Sequence, residues 1–148
     1  MILVRAERKK KMELPKNTNI VVENKKMKIV FIAGPYFGDG DFGKIERNIR
    51  KAEEYQVQLA NNDIGFFCPH NHTEHFERKA KANEKFYREL DMLMLSIVAD
   101  AVLAIPGWEI SSGAKAEIEW AVANNLKVFY PKSPKDINEV IVWAGEKI

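Results

Sequence analysis

Glu117 stands in the stretch Pro106-Gly107-Trp108-Glu109-Ile110-Ser111-Ser112-Gly113-Ala114-Lys115-Ala116-Glu117-Ile118-Glu119-Trp120-Ala121, which leaves an apolar run, turns, and opens a helix. A carboxylate in the first turns of such a helix is held by the positive end of the helix dipole. It also lies near the carboxyl end of a strand, where open α/β sheets bind their ligands. Its neighbour Glu119 reads as a solvated surface charge. Asp91 is the second carboxylate of interest, because it sits inside Leu90-Asp91-Met92-Leu93-Met94-Leu95. An ionised carboxylate is costly among apolar groups unless it has partners, and aspartate is a poor residue for a helix interior. Asp91 therefore either escapes to solvent along the helix flank or has a task. All three histidines fall within Pro69-His70-Asn71-His72-Thr73-Glu74-His75. A bent loop with that spacing admits a metal, but no cysteine pair and no helical His-Glu-x-x-His accompanies it, so a loop without metal is expected.

These residues need a scaffold, and the rest of the chain reads as one. Residues 101–105 form a continuous apolar run, the mark of a central parallel strand covered on both faces. Residues 28–33 read the same way and end at Gly34, where the chain turns with no side chain in the way. Residues 64–68 and 127–130 supply two further strands. Between them, Ile45, Ile49, Ala52, Tyr55 and Leu59 mark a helix with one buried face. Phe86, Leu90, Leu93 and Ile97 predict a core stripe on a helix over about residues 82–98. Ala114, Ile118, Ala121 and Val122 predict one on the Glu117 helix. Ser133-Pro134 reads as the start of a last helix, with Ile137, Val140, Ile141 and Ala144 inward. The alternation β-α-β-α-β-α-β-α predicts an α/β fold, a Rossmann-like or flavodoxin-like three-layer sandwich with a mainly parallel sheet of four to five strands.

Gly38-Asp39-Gly40-Asp41-Phe42-Gly43 matches the letters of the dinucleotide-binding fingerprint. The glycines come too late after the strand, the next strand closes on Cys68-Pro69-His70 rather than on an acidic residue, and Asp39 and Asp41 repel a pyrophosphate. A flexible loop is the better expectation. Lys44 and Arg47, near the following helix start, are either phosphate contacts or ordinary surface cations.

Several elements together resemble the nucleoside 2-deoxyribosyltransferase-like family, which includes nucleoside 5′-monophosphate N-glycosidases and phage-associated members. The resemblance is carried by Pro-Gly-Trp-Glu, a serine, Gly-Ala and Ala-Glu-Ile-Glu-x-Ala around Glu117. It extends to Ile32-Ala33-Gly34-Pro35-Tyr36 with Glu46-Arg47-Asn48-Ile49-Arg50, and to Cys68-Pro69-His70 with Thr73-Glu74-His75-Phe76. It implies Glu117 as nucleophile and Asp91 as the aspartate that contacts sugar or base and shares a proton with the leaving group. It also implies a substrate-facing His70 and a first loop, Gly34, Pro35 and Tyr36, that cradles the substrate. The expected reaction is cleavage of an N-glycosidic bond through an oxocarbenium-like transition state, with a covalent glycosyl-enzyme resolved by water or by another base.

In the deoxyribosyltransferases an acidic residue commonly stands six positions before the nucleophile; in the monophosphate glycosidases a serine does, and here it is Ser111. A serine and backbone N–H groups at a helix start suit a phosphate, and a carboxylate does not. Ser111, Ser112 and Gly113 are thus expected around a 5′-phosphate, with Lys115 as a helper. The chain departs from relatives at Phe31, where many have a tyrosine, and at Pro35 and Phe37, where the glycosidases use serine and arginine. Trp108 either stacks on a base or packs. Trp120 is expected on the outer helix face as a subunit contact, which with the resemblance predicts a homo-oligomer.

The 148 residues suit one domain, with residues 1–26 as an extension and 27–148 as the family core. The extension carries the basic run Arg8-Lys9-Lys10-Lys11, a solvated tail or a phosphate-steering arm. A net charge of +2 with 30% charged residues implies no strongly basic face, so a nucleoside or nucleotide is expected in preference to a nucleic-acid polymer. One cysteine fits a reducing interior, and with no leader and no run of 18 apolar residues a cytoplasmic protein without a membrane partner is expected. No cofactor or metal is expected.

Overall fold

The structure, a computed structural model, describes residues 27–146; the basic run and the possible strands of the N-terminal extension lie outside them. Four parallel strands, β1 (Ile29–Ala33), β2 (Gly65–Phe67), β3 (Ala101–Ala104) and β4 (Lys127–Phe129), pair in the order β2-β1-β3-β4. Among the described residues five α-helices accompany them: α1 (Phe42–Asn61), α2 (Pro69–His72), α3 (Glu84–Val98), α4 (Ser112–Ala123) and α5 (Asn138–Gly145).

Successive strand side chains point to opposite faces, and this parity builds three layers. Val30, Ile32 and Leu103 share an apolar cluster with Ala52, Tyr55 and Leu59 of α1 and Val140 of α5. Phe31, Ala33, Val102 and Ala104 share the other with Leu95 of α3 and Ala114, Ile118 and Ala121 of α4. The chain is an α/β three-layer sandwich of Rossmann-like form. Among the described residues no helix is long and apolar enough to cross a membrane.

The strand order reverses between β1 and β3, and at such a switch point the loops leaving the two strands part and open a crevice. The strands exit close together. Ile105 N–H donates to the Ala33 carbonyl at 2.9 Å, and a Cβ on Gly34 would collide with the Ile105 side chain at Cγ1. Only glycine fits there.

Several elements differ from expectation. On α3 the expected stripe is not the buried one: Phe86 is 50% and Leu93 40% exposed, and Leu95 packs instead. Apolar residues surround most of this helix, so its period admits more than one stripe, and docking of Leu95 and the following Ala99 on the sheet selects the register. On α4, Ala114, Ile118 and Ala121 are buried as expected, but Val122 is exposed and Trp120 is only 4% exposed. The Trp120 ring folds from the helix flank into the Phe31–Val102 cluster, which removes the outward tryptophan from the argument for a homo-oligomer. The segment after β2 begins with a helical turn, α2, started by Pro69 in its first turn. Ser133-Pro134 starts a turn and not α5: Asp136 N–H donates to the Ser133 carbonyl at 3.0 Å, and its carboxylate accepts from Lys132 N–H at 2.8 Å. Ile137 and Val140 are buried there, while Ile141 is outside and Trp143 packs on Phe129 in its place.

Candidate active site

The loop after β3 turns at Gly107, whose φ of +94° suits glycine and whose bare Cα faces Pro35, 3.0 Å from where a Cβ would stand. A 3-10 turn, Trp108–Ile110, leads to Ser111, the N-cap of α4, whose Oγ accepts from Ala114 N–H at 3.1 Å. A Cβ on Gly113 would meet nothing within 4 Å, so the helix start is open on that side. Arg88, from α3, donates to Ser112 Oγ at 2.6 Å. The start of α4 is therefore neutral in its own cap and carries beside it a guanidinium that also pairs with Glu84 one turn back on α3, Arg88 Nε donating to Glu84 Oε1 at 3.0 Å.

Glu117 follows in the second turn of α4 and is 8% exposed. Among the described residues its carboxylate has no hydrogen-bond or ion-pair partner. Burial drives its pKa well above the usual range, the charge of Asp91 adds to the rise, and Arg88 opposes it. Asp91 lies on α3 one turn beyond Arg88, with Oδ1 buried and unpartnered; burial pushes its pKa up to about 7. Both carboxyls therefore resist ionisation, Asp91 through burial and Glu117 through burial and then the charge of Asp91, with Arg88 the smaller opposing influence. Cys68, at the end of β2, feels both carboxylates, and burial above all pushes its thiol up to about 12, so it closes the site as an inert group.

The first loop is built differently. His70 is buried and neutral, its pKa driven down to about 4 by burial. Its Nε2–H donates to the Pro35 carbonyl at 2.8 Å, and its ring stands edge-on to Tyr36. Tyr36 Oη donates to Glu77 at 2.7 Å and accepts from His75 N–H at 2.9 Å. The hydroxyl expected to face substrate is thus committed to the segment after α2. Lys44 pairs with Asp39 at 2.5 Å, and Asp41 caps α1 by accepting from Lys44 N–H at 3.0 Å. Arg47 is exposed on α1 and Lys115 on α4. Trp108 is half-buried with its ring tilted 5.5 Å from that of Tyr130. Phe31 is fully buried and stacked on Phe67. The histidines go to three different neighbours, His70 to Pro35, His72 to Phe67 and His75 to Glu46. Among the described residues no group of three or more His, Cys, Asp or Glu side chains could hold a metal ion.

Glu117, Asp91, Ser111, Ser112 and Gly113 therefore lie around the α3–α4 side of the crevice, and Gly34 and Pro35 border it. Tyr36, His70 and Lys44 are tied into structure on the β1–β2 side. Arg88 and Cys68 were not anticipated. The signal for Arg88 was its place three residues before Asp91, which puts both on one side of a helix.

The family described as a domain of unknown function (DUF7768) matches residues 28–131. The chain belongs to this family. The DUF7768 match takes in all four strands and the residues around both carboxyls, and ends before α5. No curated protein matches the chain. The family description states no activity, so the chemistry of this DUF7768 domain is argued from its own side chains.

Proposed function

We propose that this protein is an N-glycosidase acting on a nucleoside 5′-monophosphate. The observation that carries the reading is the pair of carboxyls Glu117 and Asp91, each raised by burial, beside an open, neutrally capped helix start with Arg88 at its rim. The resemblance to the nucleoside 2-deoxyribosyltransferase-like family supports it. Glu117 Oε attacks C1′ of the sugar; the bond to the base breaks, and Asp91 gives its proton to the departing nitrogen. Asp91 then takes a proton from water, whose oxygen attacks C1′ and releases Glu117, so free base and a sugar 5-phosphate leave. The 5′-phosphate meets the first N–H groups of α4, Ser112 and Arg88. Ser111 contributes by holding that turn.

A nucleoside 2-deoxyribosyltransferase uses the same first step and passes the sugar to a second base. A non-catalytic nucleotide-binding module keeps the binding without the step. Chromatography of base released from ribo- and deoxyribonucleotides and nucleosides, with and without an added acceptor base, separates the three. Wild type is expected to release base from a monophosphate, and Glu117→Gln to lose at least about 10³-fold in rate. New nucleoside formed only with the acceptor moves the assignment to transfer; nucleotide binding with no product from wild type moves it to a binding module. A homo-oligomer, expected from the resemblance, now has Phe86 and Leu93 of α3 as its exposed apolar surface in place of Trp120. A monomeric mass at micromolar protein would remove it.

A further inference from the structure

Tyr87 presents an inversion that packing does not account for. Phe86, with nothing to hydrogen-bond, is 50% exposed, while the neighbouring Tyr87 hydroxyl is buried with no partner. Solvation alone favours the opposite arrangement, since a tyrosine hydroxyl finds a partner when buried. Tyr87 precedes Asp91 by four residues, so the two side chains share one face of α3. Asp91 Oδ1 is itself buried without a partner. Leu95, four residues further, is fully buried and sets that face towards the core. The helix packs against α4, and Arg88, the residue after Tyr87, reaches Ser112 Oγ of α4 at 2.6 Å. Two orphaned polar atoms thus belong to residues one helical turn apart on the same face of α3, the nearer to the sheet being Asp91, whose charge Glu117 feels.

Their height in the crevice follows from the topology. The C-terminal end of α3 leads directly into the start of β3, so its N-terminal end stands at the carboxyl edge of the sheet. Arg88 reaches Ser112 at the mouth, and Tyr87 is at the same level, one turn outward from Asp91. With a sugar carbon at Glu117 and a phosphate at Arg88 and Ser112, the base leaves on the Asp91 side and extends past it. We propose that the Tyr87 hydroxyl is a second hydrogen-bond contact to the leaving base, beside Asp91, and sets which bases the site accepts. This rests on the glycosidase reading for the place of the base.

The test compares wild type with Tyr87→Phe, which removes one oxygen and keeps the ring. Base release is measured on a panel of nucleoside monophosphates. Binding of the same nucleotides and of ribose 5-phosphate is measured by calorimetry in the Glu117→Gln background. The expected result is a 10- to 100-fold fall in kcat/KM on the preferred base with a changed ranking of bases. Affinity for the nucleotide falls, affinity for ribose 5-phosphate is unaltered, and the melting temperature is unaltered or higher, because no native partner is lost. A lower melting temperature with an equal loss on every base assigns Tyr87 a structural role and overturns the proposal, as does an unchanged ranking. If wild type releases no base yet Tyr87→Phe weakens nucleotide but not ribose 5-phosphate binding, the base contact stands and the glycosidase reading falls. If wild type binds no nucleotide, both fall.

Discussion

Helices α1 and α4 begin at the same edge of the same sheet, each directly after a central strand, and yet their first turns are opposites. The start of α1 is capped by the Asp41 carboxylate, with Asp39 nearby and its lysine already paired. Behind it Arg50 is held by Glu46, Glu53 and Glu74, and His75 by Glu46. The start of α4 is capped by a neutral serine, leaves Gly113 open, and has Arg88 at its side, paired with Glu84 of its own helix and donating to Ser112 as well. A helix N-terminus attracts anions, and a carboxylate placed there by the chain itself satisfies that attraction in advance. Topology thus supplies two equivalent helix starts, and the cap decides between them: a carboxylate occupies the first N–H groups of α1, and a neutral serine caps those of α4. The glycine-rich letters of residues 38–43 fall on the closed one.

Removing the cation beside each helix start is expected to have the largest effect. Arg88→Ala is expected to lower kcat/KM for a nucleoside monophosphate by about 10- to 100-fold, the scale of a lost charge-assisted contact to phosphate. It should change the rate on the matching nucleoside far less. Lys44→Ala on the α1 side is expected to leave both unchanged. Steady-state kinetics on the two substrates checks this; an equal loss from Lys44→Ala would show that α1 takes the anion and that the contrast between the two helix starts has no functional content.

How far the chain could be read in advance differs between strands and helices. β1 and β3 were legible because a strand covered on both faces must be apolar throughout, which their residues satisfy without a competing pattern. Glu117 and Asp91 stood out because a carboxylate in apolar surroundings is locally anomalous. Arg88 and Tyr87 were not legible: their partners come from the packing of α3 against α4, and nothing within three or four residues announces it beyond their spacing from Asp91. The register of α3 was missed for a related reason. Phe86, Leu93 and Leu95 are equally apolar, and only contact with the sheet decides that Leu95 goes in. Trp120 was misplaced because its ring is long enough to reach the core from the flank of the helix.

The two sides should also titrate in opposite senses. Asp91 has a folded pKa raised to about 7 from an ordinary 3.8, so its contribution to stability is fully present below about pH 4 and is lost as pH rises through 7. The size is of order 2 kcal/mol after allowing for its partial exposure. Asp39 and Glu46 are shifted down, Asp39 chiefly by Lys44 and Glu46 chiefly by His75, then Arg50. Their contributions are present above the ordinary carboxylate range and fade as pH falls. Glu117, raised above its ordinary range chiefly by burial, acts in the same sense, so chemical denaturation across pH 3 to 8 is expected to show stability declining from pH 4 to 7 in wild type, with Asp91→Asn reducing that decline, Asp91→Asn with Glu117→Gln flattening it, and both leaving the acid limb intact. Loss of the acid limb instead would place the titration on the α1 side.

The smallest effect concerns the caps themselves. Asp41→Ala removes the acceptor for Lys44 N–H, and Ser111→Ala removes the acceptor for Ala114 N–H; each should cost about 1 kcal/mol of stability in denaturant titrations. If the closed start of α1 is purely structural, Asp41→Ala leaves base release unchanged once the protein is folded. On the proposed function, Ser111→Ala should lower it several-fold on monophosphates, because loosening the first turn of α4 misplaces the N–H groups proposed to meet the phosphate. Equal stability losses with unequal kinetic losses would separate a helix start that only begins a helix from one that also holds a ligand.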